Sequence, residues 1–500
     1  MRKLLFFTLL AVPAAARPPV LEQAQLIARF ESYAEGARQA WGTPGMAVAL
    51  VADGKVIWSK GFGVREAGGT AAVSADTMFQ IGSASKSFTS TLTALQVDRG
   101  KLKWNDRVID HDPDFRMWDP WVTREFRVED TMSQRSGQPP YATDVLAFLG
   151  ANRVEIRQAL REVRPVSSFR SQFAYVNNLW LEAAAVLESV SGKSWEQAVA
   201  SDIFQPLGMG SSNTGFDGLW KSPNHCTPHQ GKKGAVQPLR DDWPFKDWVY
   251  TYGPAGGINS NVGDMAKYVQ MQLGVTPLVK PESLEVMHSP HILAGGTTSA
   301  TPRAIFEVGM SSYCLGWIRQ EMHPSTLLWH NGGTSGCKTV VGFCPDSGMG
   351  IVVLSNLAGT DLPEALMYRY YDLYFGRPDY DYSAAFLKGS PAEPAAPQRP
   401  RNPRPPLALS NYAGDYRHPV YGVARVRVVG NALEISMGKA MKLRLTPWEG
   451  DNFSFPEPLG TGSSPEFAGF SSDPSGKVSL LRLSICEDVL GGRFVREDSP

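Results

Sequence analysis

Five hundred residues are too many for one small core, and an apolar content of 43 % is enough to fill the interiors of two or more domains. Lys plus Arg and Asp plus Glu balance at 49 each, which excludes the positive field that nucleic acid or an anionic membrane surface requires. The five cysteines, Cys226, Cys314, Cys337, Cys344 and Cys486, are too few for a dense disulfide framework, and their odd number leaves at least one outside any intrachain pair.

The chain opens "MRKLLFFTLLAVPAAAR". Arg2 and Lys3 precede an apolar run from Leu4 to Val12 and a small-residue cleavage zone at Ala14 to Ala16. This pattern predicts a secretory signal over 1–16 and export from the cell. The run is too short to span a bilayer. A single sequon, "NFS" at Asn452, is a candidate glycosylation site in the same setting.

"LEQAQLIARFESYAEGARQAW" spaces Leu21, Ile27, Phe30 and Tyr33 as a helix closed by Pro44-Gly45. "MAVALVADGKVIWSKGFG" predicts a hairpin turning at Asp53-Gly54. In "FQIGSASKSFTSTLTAL", a strand-like run gives way to a helix that begins at Ser83 and runs to about Asp98, with Phe88, Leu92 and Leu95 on one face. A mixed middle rich in Trp, Pro and Gly contains "FAYVNNLWLEAAAVLESVSG", in which Tyr175 and Asn177 stand just before a helix ended by Gly192. "AGGINSNVGDMAKYVQMQL" is a glycine turn and a further helix. "GWIRQ", "KTVVGFCPD" and "GMGIVVLSN" are strands, introduced by "WHNGGTSG" with His330, Gly332 and Gly333, and "LPEALMYRYYDLYFG" is a final helix. Helices flanking an antiparallel sheet built from both chain ends, with a helical insertion, make this an α+β domain over 17–380.

Composition then changes abruptly. Seven prolines between Pro391 and Pro406 predict a stiff linker, set at 381–407. "VARVRVV", "ALEIS", "MKLRL" and "VSLLRLSI" then alternate with period two, which predicts a small all-β barrel or half-barrel over 408–500.

The Ser-x-x-Lys pattern at Ser83 and Lys86 recurs at Ser335–Lys338 and Ser436–Lys439. Only the first opens a helix, where residues three apart share a face; in strands they point to opposite faces. A serine hydroxyl needs a neighbouring base, and a lysine can serve only when neutral, a state favoured by burial and by the positive end of a helix. The same helix start offers the Ser83 amide to an oxyanion. "NHCTPHQ", with His225, Cys226 and His229, is read as a loop rather than a metal site because no further Cys or His cluster completes it. "RDDWPFKDWVYTYG" is a candidate pocket wall or buried packing. An α/β-hydrolase is disfavoured because no Gly-x-Ser-x-Gly elbow occurs.

With "FQIGSASKSFT", "YVNN", "AGGINSNVGDMAKY", "HNGGTSG" and the closing hairpin "GFCPDSGMGIVVLSN" in this order, the chain from Leu21 to Phe375 resembles the serine β-lactamase and penicillin-binding-protein superfamily. The likeness is to the branch with class C β-lactamases, D-amino-acid-specific peptidases and esterases (S12-type). The tail "YAGDYRHPVYGVARVRVVGNALEI" resembles the lipocalin-like barrel appended to some of these hydrolases.

The resemblance implies that Ser83 is acylated, Lys86 takes its proton and Tyr175 relays protons to the leaving group. For that last role the Tyr175 pKa would have to fall from about 10, or its proton be shared with Lys86. It implies further that Asn177 holds a substrate carbonyl or amide. Gly333, beside Gly332, would supply the second oxyanion amide, its bare backbone allowing close approach. His330 stands where β-lactamases carry the lysine of Lys-Thr-Gly, so a fixed cation for a substrate carboxylate is lost near neutral pH. "SQRSGQ", Ser133 to Gln138, replaces the family's usual "SHTSGL" in the adjoining wall. The expected activity is hydrolysis of an ester or amide in a small molecule or peptide, with no cofactor. The alternatives are transfer of the acyl group to an alcohol or amine, and a catalytically silent binding protein of the same fold.

Overall fold

The computed structural model describes residues 19–294, 310–389, 397–459 and 464–497. The expected signal segment therefore lies outside the described residues. Helix α1 (Gln23–Trp41) buries Leu26, Phe30, Ala34, Ala37 and Trp41, one residue per turn, and ends on left-handed Gly42. Phe30 lies in the buried stripe as expected, with Leu26 and Ala34 buried beside it in place of Ile27 and Tyr33. Ile27 and Tyr33 are half-buried at its edges, the Tyr33 hydroxyl donating to Asp381 at 3.0 Å and accepting from the Ser383 amide at 2.8 Å.

Strands β1 (Gly45–Ala52) and β2 (Lys55–Gly63) form the expected hairpin, with Asp53 and Gly54 both at positive φ. The remaining sheet strands are β3 (Ile292–Leu293), β4 (Ser311–Tyr313), β5 (Ile318–Gln320), β6 (Leu327–Gly333), β7 (Lys338–Cys344) and β8 (Met349–Ser355). They are antiparallel in the order β2-β1-β8-β7-β6-β5-β4-β3, so the first hairpin pairs with the last strand, Met46 opposite Ser355. Both faces of β1 are covered. Met46, Val48 and Leu50 join α1 and helix α5 (Leu362–Phe375) on one side. Ala47, Ala49 and Val51 join helices α2 (Ser85–Asp98) and α4 (Val262–Gln272) on the other. A continuous apolar run is what a strand buried on both faces needs.

Between these ends lies a helical layer that includes helix α3 (Asn178–Ser191), ended by left-handed Gly192 as expected. Within the expected linker, Tyr382–Gly389 is helical. It packs on the sheet domain, with Trp41 donating to the Ser383 hydroxyl at 3.1 Å and Tyr382 to Asp372 at 2.6 Å. Buried aromatic anchors thus hold the chain to this domain before the prolines begin.

Eight antiparallel strands between Gly414 and Arg496 close into a barrel, the first (Gly414–His418) pairing with the last (Arg493–Arg496). Alternate residues such as Leu433, Ile435 and Met437 fill its interior. Asn452 is exposed at the start of one strand. The barrel docks on the helical layer. Its Lys439 amide donates to the Leu149 carbonyl at 3.0 Å, Trp243 donates to the Pro458 carbonyl at 3.2 Å, and Asp488 accepts from the Thr143 amide at 2.9 Å. All five cysteines are buried and unbridged, and the Cys226 and Cys337 sulfurs lie 3.8 Å apart. Among the described residues, no helix is long and apolar enough to cross a membrane.

Candidate active site

Phe79–Gln80 pairs with Asn259–Ser260, and this short ladder brings the glycine turn before α4 against the start of α2. Gly82, at φ +53, opens a single 3-10 turn, Gly82–Ala84, that carries Ser83 ahead of α2. A Cβ on Gly82 would sit 2.8 Å from the Gly333 amide nitrogen, so the turn bearing Ser83 abuts the end of β6. Ser83, Tyr175, Asn177, His330 and Gly333 all line one cavity of about 570 Å³.

Lys86 is fully buried one turn along. Its ammonium nitrogen lies 3.1 Å from the Ser83 hydroxyl, 2.7 Å from Asn177 Oδ1 and 2.9 Å from the Ala255 carbonyl. Burial pulls its pKa down to about 7, against the opposing charge of Asp144. A large neutral fraction at physiological pH follows, which is the state a general base needs. The ring of Tyr175 stands 4.7 Å from the same nitrogen.

Of the two conditions expected for Tyr175, a lowered pKa is not the one met. Burial raises its pKa well above 10, and the hydrogen bond with Ser83 only partly opposes this. It is a neutral phenol, suited to giving a proton rather than taking one.

Asn177 sits at the N-cap of α3 without capping it. Its Oδ1 accepts from Lys86, and its Nδ2 donates to Asp144 at 2.7 Å, which leaves one amide hydrogen for a substrate. Asp144 is the cavity residue that the sequence reading missed. Burial raises its carboxyl to about 7, opposed by the Asn177 hydrogen bond and the Lys86 charge. Lys86, Asn177 and Asp144 thus form one chain in which an acid and a base titrate together. The signal available was the altered segment from Ser133 onward, which runs into the Asp144 loop.

His330 on β6 is held rather than free. Its Nδ1 lies 2.5 Å from the Asn331 carbonyl, and its Nε2 lies 3.0 Å from the hydroxyl of Tyr313 on β4. Burial and the nearby Lys86 depress its pKa to about 3, so the ring is neutral. The one lysine lining the cavity, Lys338, pairs with Glu364 at 2.9 Å. Among the described lining residues no unpaired cation faces a substrate carboxylate.

The close backbone approach expected at Gly333 is found at Gly332, while Gly333 is the one that lines the cavity. A Cβ on Gly332 would collide with the Ile81 carbonyl, so the close approach belongs there; a Cβ on Gly333 would meet nothing within 4 Å. Trp248 and Tyr252, from the aromatic segment weighed as pocket wall or packing, do line the cavity. His225 and His229 are both engaged by backbone groups: His225 Nδ1 contacts the nearby Ser222 carbonyl, and His229 accepts from the distant Ala67 amide and contacts the Asn356 carbonyl.

A family model described as β-lactamase matches residues 30–374, and one described as a domain of unknown function (DUF3471) matches 398–492. The chain is 27 % identical to an unguisins hydrolase of Aspergillus campestris over 78 % of this chain and 76 % of that protein. A second unguisins hydrolase, from Aspergillus violaceofuscus, is 26 % identical over 79 % and 75 %. The fold is similar to that of an octameric penicillin-binding protein homologue from Pyrococcus abyssi, with a TM-score of 0.63 at 20 % identity, covering 94 % of this chain and 100 % of that one. It is also similar to a class C β-lactamase, with a TM-score of 0.57 at 18 % identity over 71 % and 98 %. With the family model spanning well over half its length, the chain belongs to the β-lactamase family of serine hydrolases.

Proposed function

We propose that this protein hydrolyses an ester or amide through an acyl-enzyme on Ser83. The observation that carries this reading is the buried Lys86, 3.1 Å from the Ser83 hydroxyl with its pKa drawn down to about 7. Neutral Lys86 takes the hydroxyl proton as Ser83 attacks the carbonyl carbon, and the Ser83 and Gly333 amides receive the oxyanion. Tyr175, a phenol at rest and hydrogen-bonded to Ser83, donates its proton to the departing alkoxide or amine, and the proton that Lys86 took from Ser83 then replaces it. The acyl-enzyme is then attacked by water, with Lys86 again as base.

The neutral His330 and the paired Lys338 support a substrate without a carboxylate beside the scissile bond, and so an esterase or peptidase reading over a β-lactam-binding one. We infer export from the amino-terminal pattern, which intact-mass measurement of secreted protein tests by cleavage near Ala16.

The test is labelling with a fluorophosphonate and, in parallel, with a labelled penicillin, followed by peptide mapping. A fluorophosphonate adduct on Ser83 without penicillin labelling is the expected result. Absence of both adducts would overturn the reading in favour of a silent binding protein.

A further inference from the structure

Gln134, second in the altered segment that begins at Ser133, is 1 % exposed. Its side-chain Nε2 donates to the Val176 carbonyl at 3.1 Å, and its Oε1 accepts from the Val176 amide at 2.8 Å. Its own carbonyl accepts from the Ala174 amide at 3.0 Å. Val176 lies between Tyr175 and Asn177, both of which line the catalytic cavity. Its N–H belongs to the peptide that joins it to Tyr175, and its C=O to the peptide that joins it to Asn177. One carboxamide, with one donor and one acceptor in use, therefore fixes the two planar peptide units next to both cavity side chains. The backbone of Gln134 is left-handed, at φ +57, a conformation that a residue with a side chain holds only under constraint from its surroundings. The same carboxamide stands against the hydroxyl of Tyr313, which holds His330. Filling space would require neither the paired donor and acceptor nor the unusual backbone.

We propose that Gln134 is a positioning residue of this site, holding Tyr175 where its hydroxyl reaches the leaving group and Asn177 where its amide meets the substrate. The role holds only if Ser83 is acylated, as proposed above. Without the carboxamide, the buried Val176 N–H and C=O lose their partners, and the bonds flanking Val176 are free to rotate. A departing alkoxide needs the Tyr175 proton, whereas p-nitrophenolate is stable enough to leave without one. Misplacing Tyr175 therefore penalises the alkoxide selectively, and misplacing Asn177 penalises both leaving groups.

The experiment compares kcat/KM for ethyl butyrate and p-nitrophenyl butyrate in the full chain, in Gln134→Met, in Tyr175→Phe and in the double variant. Each value is normalised to the active sites titrated with a fluorophosphonate, so a partly unfolded preparation does not imitate the effect. Gln134→Met is close in length and volume and removes both hydrogen-bonding atoms. The expected loss is roughly 10²-fold or more on the ethyl ester and about tenfold on the p-nitrophenyl ester, the scale of a misplaced general acid. Added to Tyr175→Phe, Gln134→Met should cost no more than about tenfold on either ester, because the proton it places is already gone. Gln134→Glu, which keeps the acceptor and loses the donor, should show the same leaving-group preference at smaller size, and it decides the matter where Gln134→Met does not fold. Equal losses on the two esters, no loss, or full additivity with Tyr175→Phe would overturn the role of Gln134 alone. A wild-type protein that turned over neither ester and took no fluorophosphonate would overturn the acyl-enzyme reading, and this role with it.

Discussion

At the residue scale, the site separates groups that need chemistry from groups that need space. Gly332 needs space: its missing Cβ lets β6 lie against the Ile81 carbonyl, whereas the Gly333 Cβ position is open. Gly332→Ala is therefore expected to lower kcat/KM by roughly 10²-fold or more through displacement of β6 from the turn that carries Ser83. Gly333→Ala should stay within a few fold of wild type; steady-state kinetics on an activated ester decides both. Lys86 needs chemistry. Its base form grows as pH rises through about 7, so acylation should show a rising limb there, and protonated Tyr175 imposes no falling limb below about pH 10. The Asp144 carboxylate favours the Lys86 ammonium, so Asp144→Asn should lower the lysine pKa and move the limb to lower pH. A limb that stayed in place or moved upward in a kcat/KM profile would refute the coupling.

At the scale of elements, the catalytic wall is a loop supported from another domain. Tyr141 and Thr143 both hold positive φ, a conformation that non-glycine residues keep only when neighbours enforce it. The enforcing contacts are the Asp488 carboxylate of the barrel on the Thr143 amide and the Tyr252 hydroxyl on the Thr143 carbonyl. Asp488 also accepts from Tyr421 at 2.6 Å. Asp488→Leu leaves a buried N–H unpaired, at a cost of about 1–3 kcal/mol, and is expected to lower kcat roughly tenfold by loosening the loop that carries Asp144. Asp488→Asn keeps an acceptor and should restore most of that loss. Equal damage from both variants would point to the charge instead.

At the scale of the whole molecule, barrel and helical layer share one apolar cluster. Val145, Leu146 and Phe148 belong to the same buried set as the barrel's Met437, Met441 and Leu443. An interface continuous with a core couples the two parts, so scanning calorimetry should show one cooperative unfolding transition. Two separable transitions, or a barrel-less chain that stays folded at the same Tm, would show that the domains are independent.

Much of this was legible in the linear order of residues. A period of two or 3.6, a Gly at a turn, and Ser83 and Lys86 one helical turn apart are local properties, so the hairpin, the helices and the Ser83–Lys86 pairing could be read directly. The barrel was legible for the same reason, since inward and outward residues alternate along each strand. Only the tertiary structure decided what depends on burial and on contacts distant in the chain. It withdrew Lys86 from water and brought its pKa to about 7, while holding Tyr175 as a phenol and His330 neutral between Asn331 and Tyr313. It set Asp144 behind Asn177 and Asp488 behind Thr143, and it assigned the close approach to Gly332 rather than Gly333. The physical reason is that protonation state and steric tolerance are set by the surrounding dielectric and packing, and these exist only once segments hundreds of residues apart have come together.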